Sequence, residues 1–211
     1  RADEVEAQRR NDQAEDNRGA LRTALRRPAF WGIAAIFALI WLSHGMLLTY
    51  ILPLFQERGM SREWAAVAAA CLGPAQLVGR LVLALGGARV ENRLATRVSL
   101  LMVVLAACLL WYANAAPVLV FVVVIVHGAG VGLMSIMRPM LIMDVLGRRG
   151  FGAISGASAV SPIVATAAAP VLGAYLLDQF GAGAVYACLI GFSSLALAVA
   201  MVLTRRPALA G

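Results

Sequence analysis

Six long apolar runs, separated by short polar segments, constrain the fold of this chain more than any other feature of its sequence. A helix that crosses a bilayer needs about 20 apolar residues, and each run is close to that length. Peptide groups in lipid must form their hydrogen bonds within their own segment, so the runs are expected to be helices rather than strands of an open sheet. The sequence therefore predicts an all-α, polytopic membrane bundle. Its six transmembrane helices, here called A to F, are predicted over residues 30–56, 64–86, 95–113, 117–139, 151–177 and 184–204.

The composition argues against a water-soluble fold. Of the residues, 61% are hydrophobic and 14% are charged, whereas soluble domains are about 45–50% apolar and about 25% charged. Residues 1–29 are predicted to be a charged cytoplasmic linker or tail, residues 30–204 the membrane bundle, and residues 205–211 a cytoplasmic C-terminal tail. The first segment has no apolar signal-peptide core and does not begin with Met. It is expected to come from the middle of a longer polypeptide.

The arginines predict the orientation of the chain in the membrane, because all eighteen residues counted as Lys or Arg are Arg. Only Arg58 and Arg62 lie in the loop between helices A and B, and most others lie at the opposite ends of the helices. On that arginine-rich side, the loops, their flanks and the C-terminal tail contain Arg89, Arg93, Arg97, Arg138, Arg148, Arg149, Arg205 and Arg206. The positive-inside rule then places both termini in the cytoplasm. A nucleic-acid-binding protein would need one continuous basic face instead, so no nucleic-acid partner is expected. The Lys-free, Ala- and Arg-rich composition is typical of a GC-rich bacterial genome, and hence of an inner-membrane location.

The chain also contains a weak internal repeat. Helices A and D each hold a His-Gly pair followed by a Pro, and the next helix in each case holds a small residue followed by a Pro. The equivalent residues are His44, Gly45 and Pro53 in A, Gly73 and Pro74 in B, His127, Gly128 and Pro139 in D, and Ser161 and Pro162 in E. Because A and D would enter the membrane from opposite sides, the pattern predicts the three-plus-three inverted repeat from which some membrane transporters are built.

The two His residues of the chain are candidate site residues, since His44 and His127 both fall near the midpoint of their predicted helices. Ionisable side chains at that depth are costly and usually face a cavity or a partner. One interpretation is substrate contact or a proton relay, because His changes charge near neutral pH. The alternative is a neutral His that is hydrogen-bonded to a carbonyl of a neighbouring helix.

Arg80 is the one charged residue well inside a predicted helix, and Gln76 lies one turn earlier on the same face of helix B. The functional interpretation is a cation that faces a central cavity and binds a carboxylate with its two-pronged guanidinium group. The alternative is an Arg that extends to the cytoplasmic interface. Arg138, at the predicted end of helix D, is interpreted as an interface anchor or a packing clamp.

Small residues predict where helices approach each other closely. Gly128 and Gly132 on helix D, and Gly152 and Gly156 on helix E, have the four-residue spacing of such contacts. The cysteines lie in three different apolar runs, at Cys71, Cys108 and Cys188. Their spacing matches no zinc or redox motif, and neither a metal nor a cofactor is expected.

Three segments carry a resemblance to a known family. Residues 73–80, GPAQLVGR, with the arginines of residues 89–97, resemble the second helix and following loop in the C-terminal half of a major facilitator superfamily transporter. Residues 170–181, PVLGAYLLDQFG, resemble the end of that family's eleventh helix. The charged segment before Phe30 resembles the loop that joins its two six-helix halves. Taken together and in this order, the resemblance covers essentially the whole chain.

The resemblance implies half of a twelve-helix bundle that transports a small solute by alternating access and is not an enzyme. In that family the first helix of each three-helix repeat lines the central path, which here means helices A and D. Arg80 resembles the anion-binding Arg of the monocarboxylate and oxalate carriers, which makes an organic anion with proton coupling the candidate solute. However, Gln76 stands where monocarboxylate carriers have an Asp, and helix E has no Lys like that of the oxalate carriers.

Two other functional classes are considered. A rhomboid-like intramembrane protease also has six helices, and Ser155 or Ser158 would be its nucleophile. That enzyme places its His after the Ser in sequence, and no His follows His127 here. The other alternative is a half-size or accessory membrane protein without transport of its own. The expected partners are the lipid bilayer, a small-molecule substrate, and either an N-terminal six-helix half or a second copy of the chain.

Overall fold

The computed structural model describes residues 2–86 and 91–204, and these residues form helices and turns. The predicted interface residues Arg89, Arg205 and Arg206, and the predicted tail 205–211, lie outside the described residues. The helices are α1 Ala2–Leu25, α2 Pro28–Thr49, α3 Ile51–Glu57, α4 Arg62–Ala70, α5 Leu72–Gly86, α6 Asn92–Tyr112, α7 Leu119–Leu146, α8 Phe151–Phe180 and α9 Ala182–Leu203, with a 3-10 turn at Ala113–Ala115.

Within this described part, six helical segments are long and apolar enough to cross a membrane. They are Pro28–Thr49, Arg62–Gly86, Asn92–Ala115, Leu119–Leu146, Phe151–Phe180 and Ala182–Leu203. Predicted helices A to F correspond to them in order. The all-α, polytopic membrane bundle predicted from the sequence is therefore confirmed.

Two of the predicted helices are interrupted in the structure, each one turn before a proline. Helix α2 ends at Thr49, four residues before Pro53, and α4 ends at Ala70, four residues before Pro74. Proline lacks the N–H that would bond to the carbonyl four residues earlier, and its ring clashes with that carbonyl. Predicted helices A and B are therefore corrected to the pairs α2–α3 and α4–α5.

Helix D was predicted to stop at Pro139, but α7 continues through that proline to Leu146. The apolar pattern persists beyond the proline, and the helix ends only at Gly147, whose φ of 93° is readily adopted by glycine. The interpretation of Arg138 as a residue at the very end of helix D is therefore wrong. Arg138 lies inside α7, more than a turn from its C-terminus.

The packing of the bundle follows the internal repeat. A Cβ atom at Gly45 of α2 would lie 2.7 Å from Cβ of Ala169 in α8. The corresponding atom at Gly128 of α7 would lie 2.6 Å from Cβ of Ala75 in α5. The first helix of each repeat thus packs through the Gly of its His-Gly pair against the second helix of the other repeat.

These contacts correct the alignment of the second helices. If Ala75 is equivalent to Ala169, then Pro74 falls near Pro170 rather than Pro162. The pairing of Gly73–Pro74 with Ser161–Pro162 in the sequence repeat is therefore out of register, whereas the two His-Gly pairs are equivalent.

The helices differ in how much of their surface the bundle buries. Of the apolar window, 56% is buried in α2 and 50% in α7, but only 22% in each of α4–α5 and α8. The central helices are therefore α2 and α7, and the most open faces belong to α5 and α8. Exposed residues of these faces are Leu77, Val78, Leu81, Val82, Val160, Ile163, Val164 and Val171.

At the end of the bundle that the sequence predicts to be cytoplasmic, α1 contacts the loop between α7 and α8. The side chain of Arg149 donates from Nε to Oδ1 of Asp16 at 3.0 Å, and its terminal nitrogen contacts the same oxygen. The hydrogen bond from Arg149 lowers the pKa of the Asp16 carboxyl below its ordinary value of 3.8. Arg97 binds the C-terminal end of α9, where it donates to the hydroxyl and the carbonyl of Thr204 at 2.7 and 2.6 Å. Such cationic groups stabilise the free carbonyls at a helix C-terminus.

Candidate functional site

The two His side chains meet in the centre of the bundle. Nδ1 of His44 on α2 lies 3.1 Å from Nε2 of His127 on α7. Their ring planes are inclined by 19°, with centroids 5.4 Å apart. Exposure is 6% for His44 and 3% for His127. The fold brings together two residues that are far apart in sequence because the two central helices cross at their equivalent His-Gly pairs.

The contact between the His side chains defines their chemistry. For two neutral imidazoles, one nitrogen of the pair must carry the proton and donate to the other, so the two rings adopt linked tautomers. The carbonyl-bonded alternative is replaced by a His–His contact, and the predicted role in substrate contact or as a proton relay stays a prediction. The cavity beside His127 measures about 10 Å³, which is enough for about one water molecule and too small for a solute.

A much larger groove lies next to the His pair, between α2, α7 and α8. Its volume is about 610 Å³, within the range of ligand pockets. The residues that line it are Phe37, Trp41, Met134, Ser135, Arg138, Ala159, Pro162, Ile163, Thr166 and Ala167. The edge of Trp41 lies against His44, with ring centroids 5.6 Å apart. Trp41 therefore contacts both the groove and the His pair.

Arg138 is the one charged side chain among the groove-lining residues. It is half-buried, and it has no hydrogen bond or ion pair within the described parts of the chain. The hydroxyl of Ser135 donates to the carbonyl of Gly132 at 2.7 Å, and that of Thr166 donates to the carbonyl of Pro162 at 2.8 Å. Both hydroxyls thus donate their protons to carbonyls of their own helices. Their oxygen lone pairs remain free to accept hydrogen bonds. The groove therefore combines apolar walls with one positively charged donor group.

Arg80 and Gln76 lie elsewhere, on α5. Arg80 is exposed and Gln76 is half-buried, and neither lines the groove of α2, α7 and α8. Leu77 and Leu81, which neighbour them in sequence, are 56% and 50% exposed. Arg80 therefore projects from an open, apolar helix face, and its predicted role in binding a carboxylate stays a prediction.

The predicted packing glycines fall into two groups. Gly128 and Gly132 lie where α7 approaches α5 so closely that an added Cβ would collide with Ala75 or with the carbonyl of Gln76. Gly79 of α5 makes the reciprocal contact with the carbonyl of Ala129. By contrast, an added Cβ at Gly152 or Gly156 would meet no atom of the described chain within 4 Å. Gly128 and Gly132 thus mark a close helix contact, whereas Gly152 and Gly156 do not.

A second charged cluster, at the end of α3, was not found from the sequence. Arg58 is only 6% exposed, and its guanidinium carbon lies 3.8 Å from the centre of the Tyr186 ring on α9. Nε of Arg58 lies 3.3 Å from Oε2 of Glu57. The Tyr186 hydroxyl contacts the same carboxylate oxygen at 2.8 Å and the carbonyl of Leu54 at 2.7 Å. No local sequence signal pairs residues so distant in the chain, and Arg58 was assigned only as a loop residue.

Among the described residues, no group of three or more His, Cys, Asp or Glu side chains is placed to hold a metal ion. The three cysteines are unpaired and partly buried.

Comparison with known proteins identifies the family. A search of curated proteins gives no match. The model of the Major Facilitator Superfamily matches residues 2–166, which run from α1 into the second half of α8. With six membrane-spanning helices and a match over most of its length, this chain belongs to the Major Facilitator Superfamily.

Proposed function

We propose that this chain is the C-terminal six-helix half of a secondary transporter that moves a small organic anion by alternating access. Members of this superfamily are membrane transporters rather than enzymes, which supports transport over the protease alternative. The observation that carries the choice of solute is Arg138, an unpaired cation in a groove whose other lining residues are uncharged. The groove between α2, α7 and α8 would form this half's wall of the solute path.

The chemistry of the groove supports an anion with an apolar body. An Arg that is partly removed from water loses hydration, and a carboxylate ligand restores its hydrogen bonds through both prongs of the guanidinium. Phe37, Trp41 and Met134 offer apolar and aromatic surface to the rest of the solute. The free lone pairs on Ser135 and Thr166 would accept hydrogen bonds from a hydroxyl group on that solute.

The His pair would couple proton movement to that anion. A proton added to His44 or His127 creates a positive charge in the bundle centre, where an ion without a counter-ion is costly. An anion bound at Arg138, beyond Trp41, would reduce that cost. Binding of the proton and of the anion would then favour each other, as thermodynamic linkage requires. This makes symport of one anion with one proton the proposed coupling mode.

The open faces of α4–α5 and α8 indicate where a partner would lie. They are the least buried spans of the bundle, and Arg80 and Gln76 would contribute to the shared cavity from the α5 side. The proposed partner is an N-terminal six-helix half of the same polypeptide, within a bacterial inner membrane and with both termini in the cytoplasm. The alternative is a half-size protein that pairs with a second copy. The intact mass of the polypeptide in its source membrane separates them: about twice 22.2 kDa supports the first, and about 22.2 kDa the second.

The test of the proposed function is uptake into proteoliposomes that contain the full-length protein. A panel of radiolabelled carboxylates, neutral sugars and organic cations would be compared in a pH gradient. We expect saturable uptake of a carboxylate, and a reduction of at least tenfold in Arg138→Gln, since charge-assisted hydrogen bonds contribute about 1.5–3 kcal/mol. Arg62→Gln, at an exposed position of α4, is the matched control. Uptake of neutral solutes alone, or equal uptake by both variants, would exclude the anion site.

The coupling role of the His residues needs a separate measurement. His127→Gln keeps a side chain of similar polarity but cannot carry the proton. We expect uptake in this variant to lose its dependence on the pH gradient while exchange of anion for anion continues. If the gradient still drives uptake in both His127→Gln and His44→Gln, the His pair is not the coupling site.

A further inference from the structure

The two equivalent helix contacts of the repeat are built from different residues. Beyond Gly128, the α5–α7 contact continues through Gly79 and Gly132, each of which lies against a backbone carbonyl of the other helix. Beyond Gly45, α2 has no second glycine that faces α8, although Ser161 of α8 also donates to the carbonyl of Ala34 on α2 at 3.0 Å. The position that corresponds to Gly132 is Thr49, where α2 ends.

A tyrosine occupies the α2–α8 contact at this point. Tyr50 separates α2 from α3, with backbone angles of −110° and 21°. Its ring fills the space over Gly173 of α8, where an added Cβ would lie 2.5 Å from Cε2. Its hydroxyl donates to the carbonyl of Pro170 at 2.7 Å. A single side chain thus connects the break in the first helix to the proline of the helix beside it.

The segments on either side of Tyr50 are held by different neighbours. Helix α3 is attached to α9, because Tyr186 bonds to the carbonyl of Leu54 and to Glu57. Helix α2 is attached to α7 through the His pair and lines the groove. Pro53 has no N–H to donate to the carbonyl of Thr49, so the hydrogen bonding between the two segments is weakened, while Tyr50 still donates to Met46 and accepts from Leu54. The backbone at Tyr50 is therefore the joint between a part anchored to α9 and a part that faces the groove.

We propose that Tyr50 is the latch of a hinge in the first helix, and that its bond to the Pro170 carbonyl holds α2 and α3 at the observed angle. Opening of this latch lets α2 tilt against α8 while the α5–α7 pair remains packed as a rigid unit. Tyr50 acts as a positioning residue, since it lines neither the groove nor the His pair. The proposal rests on the proposed transport function, but it concerns the motion and not the identity of the solute.

The test removes the latch without removing the ring. In the full-length protein, Tyr50→Phe lacks only the hydroxyl, and Gly173→Ala displaces the ring by adding one methyl group. Hydrogen–deuterium exchange would be measured by mass spectrometry in lipid nanodiscs. We expect exchange to rise about fivefold in both variants for the amides of residues 46–54, the change expected for one neutral hydrogen bond. Transport turnover should change while KM for the solute stays the same, because the groove is untouched.

Matched controls come from α8, the helix that contains Gly173. Tyr175→Phe removes an exposed hydroxyl on α8, and Gly156→Ala adds a methyl group where no atom of the described chain lies within 4 Å. Both should exchange like the unmodified protein. A rise in exchange that is spread over all six spans, together with a lower melting temperature, would show a merely structural role and overturn the proposal. So would wild-type exchange in both Tyr50→Phe and Gly173→Ala. Absence of any transport by the unmodified protein would instead count against the proposed function, because the exchange measurement does not depend on uptake.

Discussion

Arg58 and Arg138 are both at least partly buried in the fold, and their surroundings are opposite. Arg58 is almost fully buried and has a carboxylate and an aromatic ring around it. Arg138 is half-buried, faces a large groove and has no partner within the described residues. Burial of a charge is tolerated where the protein supplies the counter-charge. Arg138 lacks such a counter-charge within the described residues, which is why we propose it, and not Arg58, as the solute-binding arginine.

The largest expected effect is loss of stability in Arg58→Ala. The variant removes the cation from the Tyr186 ring and leaves Glu57 without its positively charged partner. We expect a cost of about 2 kcal/mol, below the 3–5 kcal/mol of a fully buried pair because the Glu57 side chain is 47% exposed. Thermal unfolding in detergent measures it, and transport per folded molecule should remain. An unchanged melting temperature in this variant would show that Arg58 does not stabilise the fold.

Arg138→Lys tests whether the arginine in the groove binds the solute through its guanidinium group. Lysine keeps the positive charge but loses the planar, two-pronged geometry that suits a carboxylate. We expect KM for the anion to rise roughly tenfold, about 1.4 kcal/mol, with no change in melting temperature. Concentration-dependent uptake in proteoliposomes measures the change. A fall in stability as large as that of Arg58→Ala would mean that Arg138 is structural after all.

Arg80 gives an intermediate case, because it is exposed on α5 and has no partner within the described residues. If the completed cavity uses it as the second cation, Arg80→Gln should reduce uptake several-fold and Arg80→Lys should restore part of it. If Arg80 only extends to the membrane interface, both variants should transport like the unmodified protein. Uptake measured in parallel for Arg80→Gln and Arg138→Gln shows which arginine contributes more to transport.

The smallest effect is expected for Arg149, a paired but exposed arginine. Exposed ion pairs contribute little to stability, so Asp16→Asn should leave transport unchanged and only raise hydrogen–deuterium exchange in α1. Because the pKa of Asp16 is lowered in the folded protein, the contribution of the pair is complete above the ordinary value of 3.8 and is lost as pH falls through the lowered pKa. If α1 exchanges equally in Asp16→Asn and in the unmodified protein at neutral pH, the Asp16–Arg149 pair does not stabilise this helix.

The prolines show where reasoning from sequence succeeded and where it stopped. Pro53 and Pro74 lie inside predicted helices and Pro139 at a predicted helix end, and each lacks the N–H that would bond one turn earlier. Two of them interrupt their helices, at Tyr50 and Cys71, whereas α7 passes through Pro139 to Leu146. Pro162 and Pro170 likewise lie inside the uninterrupted α8, so a proline by itself does not specify where a helix is interrupted. As a result the sequence placed Arg138 at a helix end and missed its place in the groove.

The sequence by itself determined that this chain is a helical membrane bundle, because the length of its apolar runs and the cost of unpaired peptide groups in lipid permit little else. It also determined that the two His-Gly pairs are equivalent. Only the tertiary structure decided that the His side chains bond to each other, that Arg58 is paired with Tyr186, and that Arg138 rather than Arg80 faces the groove. Helix periodicity specifies which side of a helix a residue occupies, but the neighbour on that side depends on packing between segments far apart in the chain.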